Sequence, residues 1–468
     1  MTLEELTKDL AAPWPEELGA ANREKLLASG KTLVVLDDDP TGTQTVSDLP
    51  VLTGWSVEEL WEEFTRGTPV FYLLTNSRAL TEGQTESLHR EIGENLLRAG
   101  REAGREFLVI SRSDSTLRGH YPLEVDTLSE SLQLEKPLVF FLPFFEAGGR
   151  LTLNGTHYVV EKGEAVPAHE TPFAQDNAFP FSSSYLPEYL VEKSGGTVAL
   201  EQVVHLPLAL LREGGPGEVQ RVLEAADAGA VCIVDALELR DLEVLVSVLP
   251  AVEAARPVLY RSAASFVQAR AGLATRDLLA PLELADPEEN DHGGLIVVGS
   301  HVPKTTAQLE SLLQGAEVEA LELSVPKLLE NPDEVLFPLS QAMNQSIQAG
   351  KTVVLSTSRE RIDAESAERN LFLSQTISRA LVSLVQSLVV RPRFLVAKGG
   401  ITSSDLATDA MGVKRALVLG QILPGVPVWQ LGSETRFPGL PYIIFPGNVG
   451  GEDALLKAFQ KLEPKNQS

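Results

Sequence analysis

Short apolar runs alternate with longer amphipathic stretches along most of the chain. This rhythm predicts α/β layers around a mostly parallel sheet, whose strands are buried on both faces and read as continuous apolar runs. Strands are predicted at Thr32–Leu36, Val70–Leu74, Glu106–Ile110 and Leu138–Leu142, with helical stretches such as Ser56–Thr65 and Thr81–Ala99 between them. Thr81 with Gln84 three residues on is a capping-box signature. From Leu151 to Gly196 the rhythm weakens, and His169-Glu-Thr-Pro-Phe-Ala-Gln-Asp176 reads as a long functional loop or insertion. The pattern resumes at Val203–Leu206, Ala230–Val234 and Pro257–Tyr260.

The segment 285–294 is rich in Asp, Glu, Pro and Gly, has no periodicity, and reads as a linker. A second α/β series follows. Its strands are predicted at Leu295–Val298, Glu317–Leu323, Thr352–Leu355, Arg393–Ala397, Ala416–Leu419 and Tyr442–Phe445, and its helices include Thr305–Leu313 and Ala364–Val389. The expected layout is two α/β domains, 1–284 and 295–468, each a mostly parallel sheet with helices on both faces.

A length of 468 residues fits two large domains. The formal net charge of −26 argues against a nucleic-acid partner, which would need clustered Lys and Arg. It leaves room for an anionic substrate, because a few arginines can reverse the field locally. Cys232 is the only cysteine, so no intrachain disulfide can form, and its apolar run reads as core. The first residues lack a signal-peptide apolar core, and no apolar run approaches the roughly 20 residues that span a bilayer. The expectation is a cytoplasmic protein without a membrane partner.

The candidate chemistry lies where strands end. In open α/β sheets, ligands bind beyond the carboxyl ends of the strands. The run Val34-Val-Leu-Asp-Asp-Asp-Pro-Thr-Gly42 carries an apolar strand into three carboxylates. Asp37 and Asp38 there can bind sugar hydroxyls, accept a proton or hold magnesium, although one acid of the three can simply cap the next helix. Ile110-Ser-Arg-Ser-Asp-Ser-Thr-Leu-Arg-Gly119 places Arg112 and Arg118 around Asp114, Ser115 and Thr116. Guanidinium groups grip carboxylates in a fork and hydroxyls suit polyols, but the same residues can form a structural Asp–Arg pair. Arg78 follows the strand at Leu73-Leu74 and can share a substrate carboxylate.

In the second half, Ser300 follows a strand in Val298-Gly-Ser-His301, and Lys398-Gly-Gly-Ile-Thr-Ser-Ser404 joins a strand to a helix. Backbone N–H groups at such turns suit phosphate, and the glycines permit close approach. Phe445-Pro-Gly-Asn-Val-Gly450 can form a further wall or be only a turn. His301 reads as incidental. No Walker-type GxxxxGK[ST], HExxH or GxSxG is present.

Together these segments resemble the four-carbon acid sugar kinase family. The resemblance rests on Asp37-Asp38 with Thr41-Gly42, on the full match Asp114-Ser-Thr-Leu-Arg-Gly119, on Gly299-Ser300 and on Gly399-Gly-Ile-Thr-Ser403, in order through nearly the whole chain. It implies an N-terminal sugar-acid domain, a C-terminal ATP domain and an active site in the cleft between them. It further implies MgATP as phosphoryl donor, a four-carbon sugar acid as acceptor and a homodimer. By that likeness Asp37, Asp38 and Asp114 serve catalysis and Arg78, Arg112, Ser115, Thr116 and Arg118 the substrate. Ser300, Gly399, Gly400, Thr402, Ser403 and Gly447 serve ATP. Three segments depart from the pattern: Asp37-Asp-Asp-Pro-Thr-Gly-Thr-Gln-Thr45 stands where Asp-Asp-x-Thr-Gly-Ala with an acid soon after is usual, Ser111-Arg112 where a basic pair is usual, and Phe445-Pro-Gly-Asn-Val-Gly450 where Lys-x-Gly-x-Phe-Gly is usual. Two rival readings are a sugar-acid sensor without turnover and an NAD-dependent hydroxy-acid dehydrogenase. The latter lacks a GxGxxG after the first strand.

Overall fold

A computed structural model describes residues 2–288, 290–359 and 367–463, with the backbone alone for 367–371. In chain order the strands are β1 (Thr32–Asp37), β2 (Leu49–Leu52), β3 (Val70–Leu74), β4 (Phe107–Arg112), β5 (Leu138–Leu142), β6 (Arg150–Leu153), β7 (Thr156–Glu161), β8 (Glu164–Pro167) and β9 (Val203–Leu206). They continue with β10 (Val231–Val234), β11 (Val258–Ser262), β12 (Leu295–Val298), β13 (Glu319–Leu323), β14 (Val353–Thr357), β15 (Leu395–Lys398), β16 (Arg415–Leu423), β17 (Val426–Leu431) and β18 (Pro441–Phe445). The chain forms two compact units, Met1–Thr45 with Gly54–Thr275, and Val46–Thr53 with Arg276–Ser468.

In the first unit the strands run parallel in the order β3-β1-β4-β11-β5-β10-β9. Every residue of β1, β3, β5, β10 and β11 is buried. Their uninterrupted apolar character is what coverage of both sheet faces demands. Helices make the crossovers. Glu82–Ala103 starts at the Thr81 cap, whose hydroxyl accepts from Gln84 N while Gln84 returns a bond to Thr81 N. It ends at Gly104 in the left-handed region. Leu239–Ala255 buries Leu242, Leu245, Leu249 and Val252 on one face.

The stretch read as a loop between Leu151 and Gly196 is largely ordered. β6, β7 and β8 form a small antiparallel sheet, and Leu186–Lys193 is a helix. The hairpin turn is Asn154-Gly155, both at positive φ, the pairing a tight hairpin favours. The Asp235 carboxylate accepts from both turn amides, at 2.8 and 2.9 Å.

The second unit has the order β13-β14-β12-β15-β18-β17-β16-β2. The first five strands are parallel, and β17, β16 and β2 add antiparallel pairs. The sequence reading contains neither β2 nor β17. The expected linker 285–294 is tied into this unit. Leu279 and Leu284 are buried in its core beside Ile296, Ile443 and Phe459, and Asp286 accepts a two-point ion pair from Arg391. Of the helix expected at Ala364–Val389, the described part is Ala367–Gln386, and 364–366 lie outside the described residues.

Candidate functional site

In the first unit, β1, β3 and β4 end side by side. Asp37 stands in register with Leu74 on one side and Arg112 on the other. The turns that follow therefore bring their polar side chains to one edge of the sheet. Arg112 Nη1 donates to Asp37 Oδ1 at 2.9 Å. Arg78 grips Asp38 with Nε (3.0 Å) and Nη2 (2.5 Å), while Ser113 Oγ donates to the same carboxylate at 2.7 Å. Arg78 Nη1 also lies 3.5 Å from Asp39 and 3.9 Å from Asp114. Arg118 Nε donates to Asp114 Oδ2 at 2.8 Å, and the Thr116 hydroxyl donates to that oxygen too. Asp39 faces its own turn and accepts from Thr41 N at 2.8 Å as cap.

These pairings separate carboxylates that are neighbours in sequence. Burial pushes the Asp37 carboxyl up to about 7; Arg112 pulls it back, and the charges of Asp38 and Asp39 add to the rise. Burial acts on Asp38 and Asp114 as well. For Asp38 it is outweighed by Arg78 and Arg112, and for Asp114 by Arg78 and Arg118, so both are held below the usual carboxylate range. Gly42 closes over Asp37, since a Cβ there would sit 2.0 Å from both carboxylate oxygens.

The Ser113–Gly119 loop is held from beneath. Leu117 adopts φ 69°, an unfavourable region for its side chain, and Tyr189 Oη pins its carbonyl at 2.7 Å. His157 Nε2 bonds the Ser115 carbonyl at 2.8 Å and its Nδ1 bonds Thr152 Oγ1 at 2.9 Å. Burial lowers this imidazole to about 4, so it is neutral at pH 7. A neutral ring bonded to a carbonyl through Nε2 carries its proton there and accepts from Thr152. Arg261, almost fully buried, donates to the Arg118 carbonyl at 3.1 Å over the Phe141 ring. Among the described residues its Nε and Nη1 have no hydrogen-bond partner. Phe173 lies against both Arg118 and Arg150, and Asp176 takes a contact from Arg118 Nη1 at 3.4 Å.

The structure thus joins Asp37, Asp38, Asp114, Arg78, Arg112, Thr116 and Arg118 in one network; Ser115 lies in the same loop but bonds His157 through its carbonyl. Sequence reasoning passed over Ser113, Arg150, His157, Phe173, Asp176 and Arg261. Arg261-Ser262 ends β11 in the same strand-to-polar pattern that marked the other loops. Phe173 and Asp176 lie in the segment flagged only as a functional loop.

In the second unit, β12, β15 and β18 are neighbours, with Val298, Lys398 and Phe445 in register. Their turns converge. Gly399 has φ 121°, a region closed to most side chains, and donates to the Phe445 carbonyl at 2.9 Å. A Cβ on Gly299 would lie 2.2 Å from Thr402 Oγ1, and one on Gly447 would lie 3.2 Å from Ser300 Oγ. The turns leave a cradle that side chains would fill. The fully buried Thr305 donates toward Ser300 Oγ and the Gly447 carbonyl, both at 3.2 Å. Ser403 is turned inward, its hydroxyl directed at the carbonyls of Ala397 and Gly399, while Gly400 opens the following short helix. Lys398, also buried, reaches the carbonyls of Pro446 (2.5 Å) and Gly447 (3.3 Å) over the Phe445 ring. Burial, then Lys304, lowers its ammonium to about 7. Arg359 Nη2 donates to the Ser300 carbonyl and to Thr306 Oγ1, both at 2.8 Å, and among the described residues its Nε and Nη1 have no partner. His301 bonds Thr357 Oγ1 at 3.1 Å.

Among the described residues no group of three His, Cys, Asp or Glu side chains could hold a metal ion, and no helix is long and apolar enough to cross a membrane.

Residues 33–270 match a family described as a sugar-binding N-terminal domain, and residues 295–455 match one described as a nucleotide-binding C-terminal domain. A 3-oxo-tetronate kinase of Methylobacterium radiotolerans is 28% identical over 399 residues, covering 82% of this chain and 87% of that protein. Two crystal structures share the fold at 18% identity, each covering 92% of this chain and 100% of its own. They are Haemophilus influenzae protein HI1011 (TM-score 0.65) and a Salmonella typhimurium LT2 protein (TM-score 0.66).

Proposed function

Because the chain belongs to the four-carbon acid sugar kinase family, we propose that it phosphorylates the terminal hydroxyl of a four-carbon sugar acid of the 3-oxo-tetronate type, using ATP. The first unit would bind the acid and the second the nucleotide. ATP would supply an activated γ-phosphoryl group: the substrate oxygen bonds to its phosphorus, the bond to the β-phosphate oxygen breaks, and ADP leaves. Phosphoryl transfer of this kind needs positioning and charge neutralisation more than covalent steps.

The observation that carries the reading is the Asp–Arg network gathered at the ends of β1, β3 and β4. Asp38 and Asp114 stay ionised and hold Arg78 and Arg118 in place. Those two guanidiniums, the more exposed of the set, would grip the substrate carboxylate, with the stacked Phe173 limiting how Arg118 can swing. Asp37, with a carboxyl near 7, is suited to take the proton from the attacking hydroxyl. Thr116 and Ser115 would meet the remaining hydroxyls.

The cradle formed by Gly299, Ser300, Gly399, Gly400, Thr402 and Gly447 has the close backbone approach a phosphate chain requires. The guanidinium of Arg359, bonded to the Ser300 carbonyl, and the ammonium of Lys398 lie at this cradle and would supply positive charge. Magnesium would arrive on the nucleotide phosphates, its charge offset mainly by them.

The test is ADP release with MgATP against 3-oxo-tetronate, its 2-oxo isomer, the threonates and the erythronates. Release with one enantiomer of 3-oxo-tetronate and not with the other is the expected result. Silence over the whole panel overturns the reading.

A further inference from the structure

We propose that the first unit carries a second ligand site, away from the Asp–Arg network, that binds a small monocarboxylate with an apolar body. A cavity of about 460 Å³ opens at the amino ends of β4 and β11. That volume lies in the range of small-molecule sites, roughly 300–1,000 Å³. Its floor is apolar, with Phe107, Leu132, Leu134 and Leu259 among the lining side chains. The Asp–Arg network sits at the other ends of these strands. Phe107 and Arg112 are the first and last residues of β4, about 17 Å apart at the usual strand rise.

The charge around this cavity selects the ligand. Three arginines line it, Arg101, Arg105 and Arg256. Arg105 is held by neutral groups, the Thr32 hydroxyl at 2.9 Å and the Gly67 carbonyl at 3.5 Å. Arg256 is held by the Ala226 carbonyl at 2.7 Å. Among the described residues neither makes an ion pair, nor does Arg101. The two carboxylates in the lining are already matched by cations outside it. Glu253 accepts from Arg270 at 2.8 Å, and Glu106 lies 3.5 Å from Lys31. The cavity therefore combines an apolar body with uncompensated positive charge, on a chain whose net charge is −26. An anion with a hydrocarbon tail satisfies both features at once. A sugar acid, with hydroxyl or oxo groups along its carbon chain, would leave those groups unpaired against the leucines. This site does not depend on the kinase reading.

The test is calorimetric titration of the full chain with sodium octanoate, 1-octanol and octyl phosphate. Octanoate is expected to bind saturably, with Kd at or below about 1 mM and a negative heat-capacity change. It should bind at least about tenfold more tightly than 1-octanol. Arg101→Glu, on the exposed last turn of its helix, should weaken octanoate about tenfold and leave 1-octanol unchanged. Leu134→Trp should abolish binding of both by filling the cavity, with sugar-acid turnover unchanged. No saturable heat with octanoate up to about 10 mM, equal affinity for octanoate and octanol, or indifference of octanoate to Arg101→Glu would each overturn the proposal. Tighter binding of octyl phosphate than octanoate would overturn the carboxylate assignment. Should Leu134→Trp fail to fold, the Arg101→Glu comparison decides alone.

Discussion

Asp37 and Asp38 are adjacent and almost equally buried, yet their surroundings drive their acidities apart. Asp38 has two guanidinium nitrogens and a hydroxyl on its oxygens, whereas Asp37 has one guanidinium nitrogen and a glycine packed over it. Asp37→Asn should therefore lower kcat on the order of 10²–10⁴-fold, as expected for loss of a general base. It should also remove the limb of the pH–rate profile near 7. A variant whose kcat still falls below pH 7 would exclude Asp37 as the titrating group. The same substitution has a signed effect on stability. The folded carboxyl is raised above its unfolded value, so its contribution is fully present below the unfolded value near 4 and is lost as pH rises to about 7. Asp37→Asn removes that loss. The melting temperature of the variant relative to the parent should climb between pH 4 and 7 and then level off. His157 has the opposite sign. Its depressed folded value makes stability grow as pH rises from about 4 to its unfolded value near 6.5, so the comparison must be made in a chain that keeps His157. At Arg118, replacement by Ala removes its charge-assisted contact to Asp114 and the proposed one to the substrate carboxylate. The predicted loss in kcat/KM is about 10²-fold, and near-normal kinetics would refute the role.

At the scale of elements, both clusters are built from loops after parallel strands, and in each cluster at least one loop makes a close approach that only glycine permits, at Gly42 in the first and Gly299 in the second. Gly299→Ala would set a Cβ 2.2 Å from Thr402 Oγ1 and push the β12 turn off the β15 turn. KM for ATP should rise by about tenfold or more while the affinity for the sugar acid, measured without nucleotide, stays unchanged. Equal losses for both ligands would mean that the substitution acts on the fold. The strand ends that frame these loops were legible in the sequence because buried parallel strands read as apolar runs, and the residues next to them were legible by position alone. What the sequence hid has two causes. β2 is a four-residue strand whose partner β16 lies far away in the chain, and both β2, with Pro50, and β17, with Pro427, carry a proline that argues against a strand until its pairing is known. The Asn154-Gly155 hairpin did carry its local signal, but weak alternation on either side hid it. Supporting residues such as His157 and Arg261 act through backbone carbonyls of a distant loop, a relation that exists only in three dimensions.

For the whole molecule, the site chemistry sits inside an unfavourable field. The chain carries −26 formal charges, and both proposed ligands are anions. Local guanidiniums, worth several charge-assisted bonds at contact distance, decide whether a sugar acid stays bound. The summed charge decides how often it arrives. At about 10 mM ionic strength the Debye length is about 30 Å and the acidic surface acts far into solution, whereas at 0.15 M it is about 8 Å and the contact terms remain. Raising salt from about 10 to 150 mM with sodium chloride should therefore increase kcat/KM for the sugar acid, by about twofold or more, at saturating MgATP. Kinases whose surface steers the substrate in would lose rate under the same change. A fall in kcat/KM over that interval would show that the arginines of the first unit dominate the field at long range as well as in contact. The net charge would then be irrelevant to substrate capture.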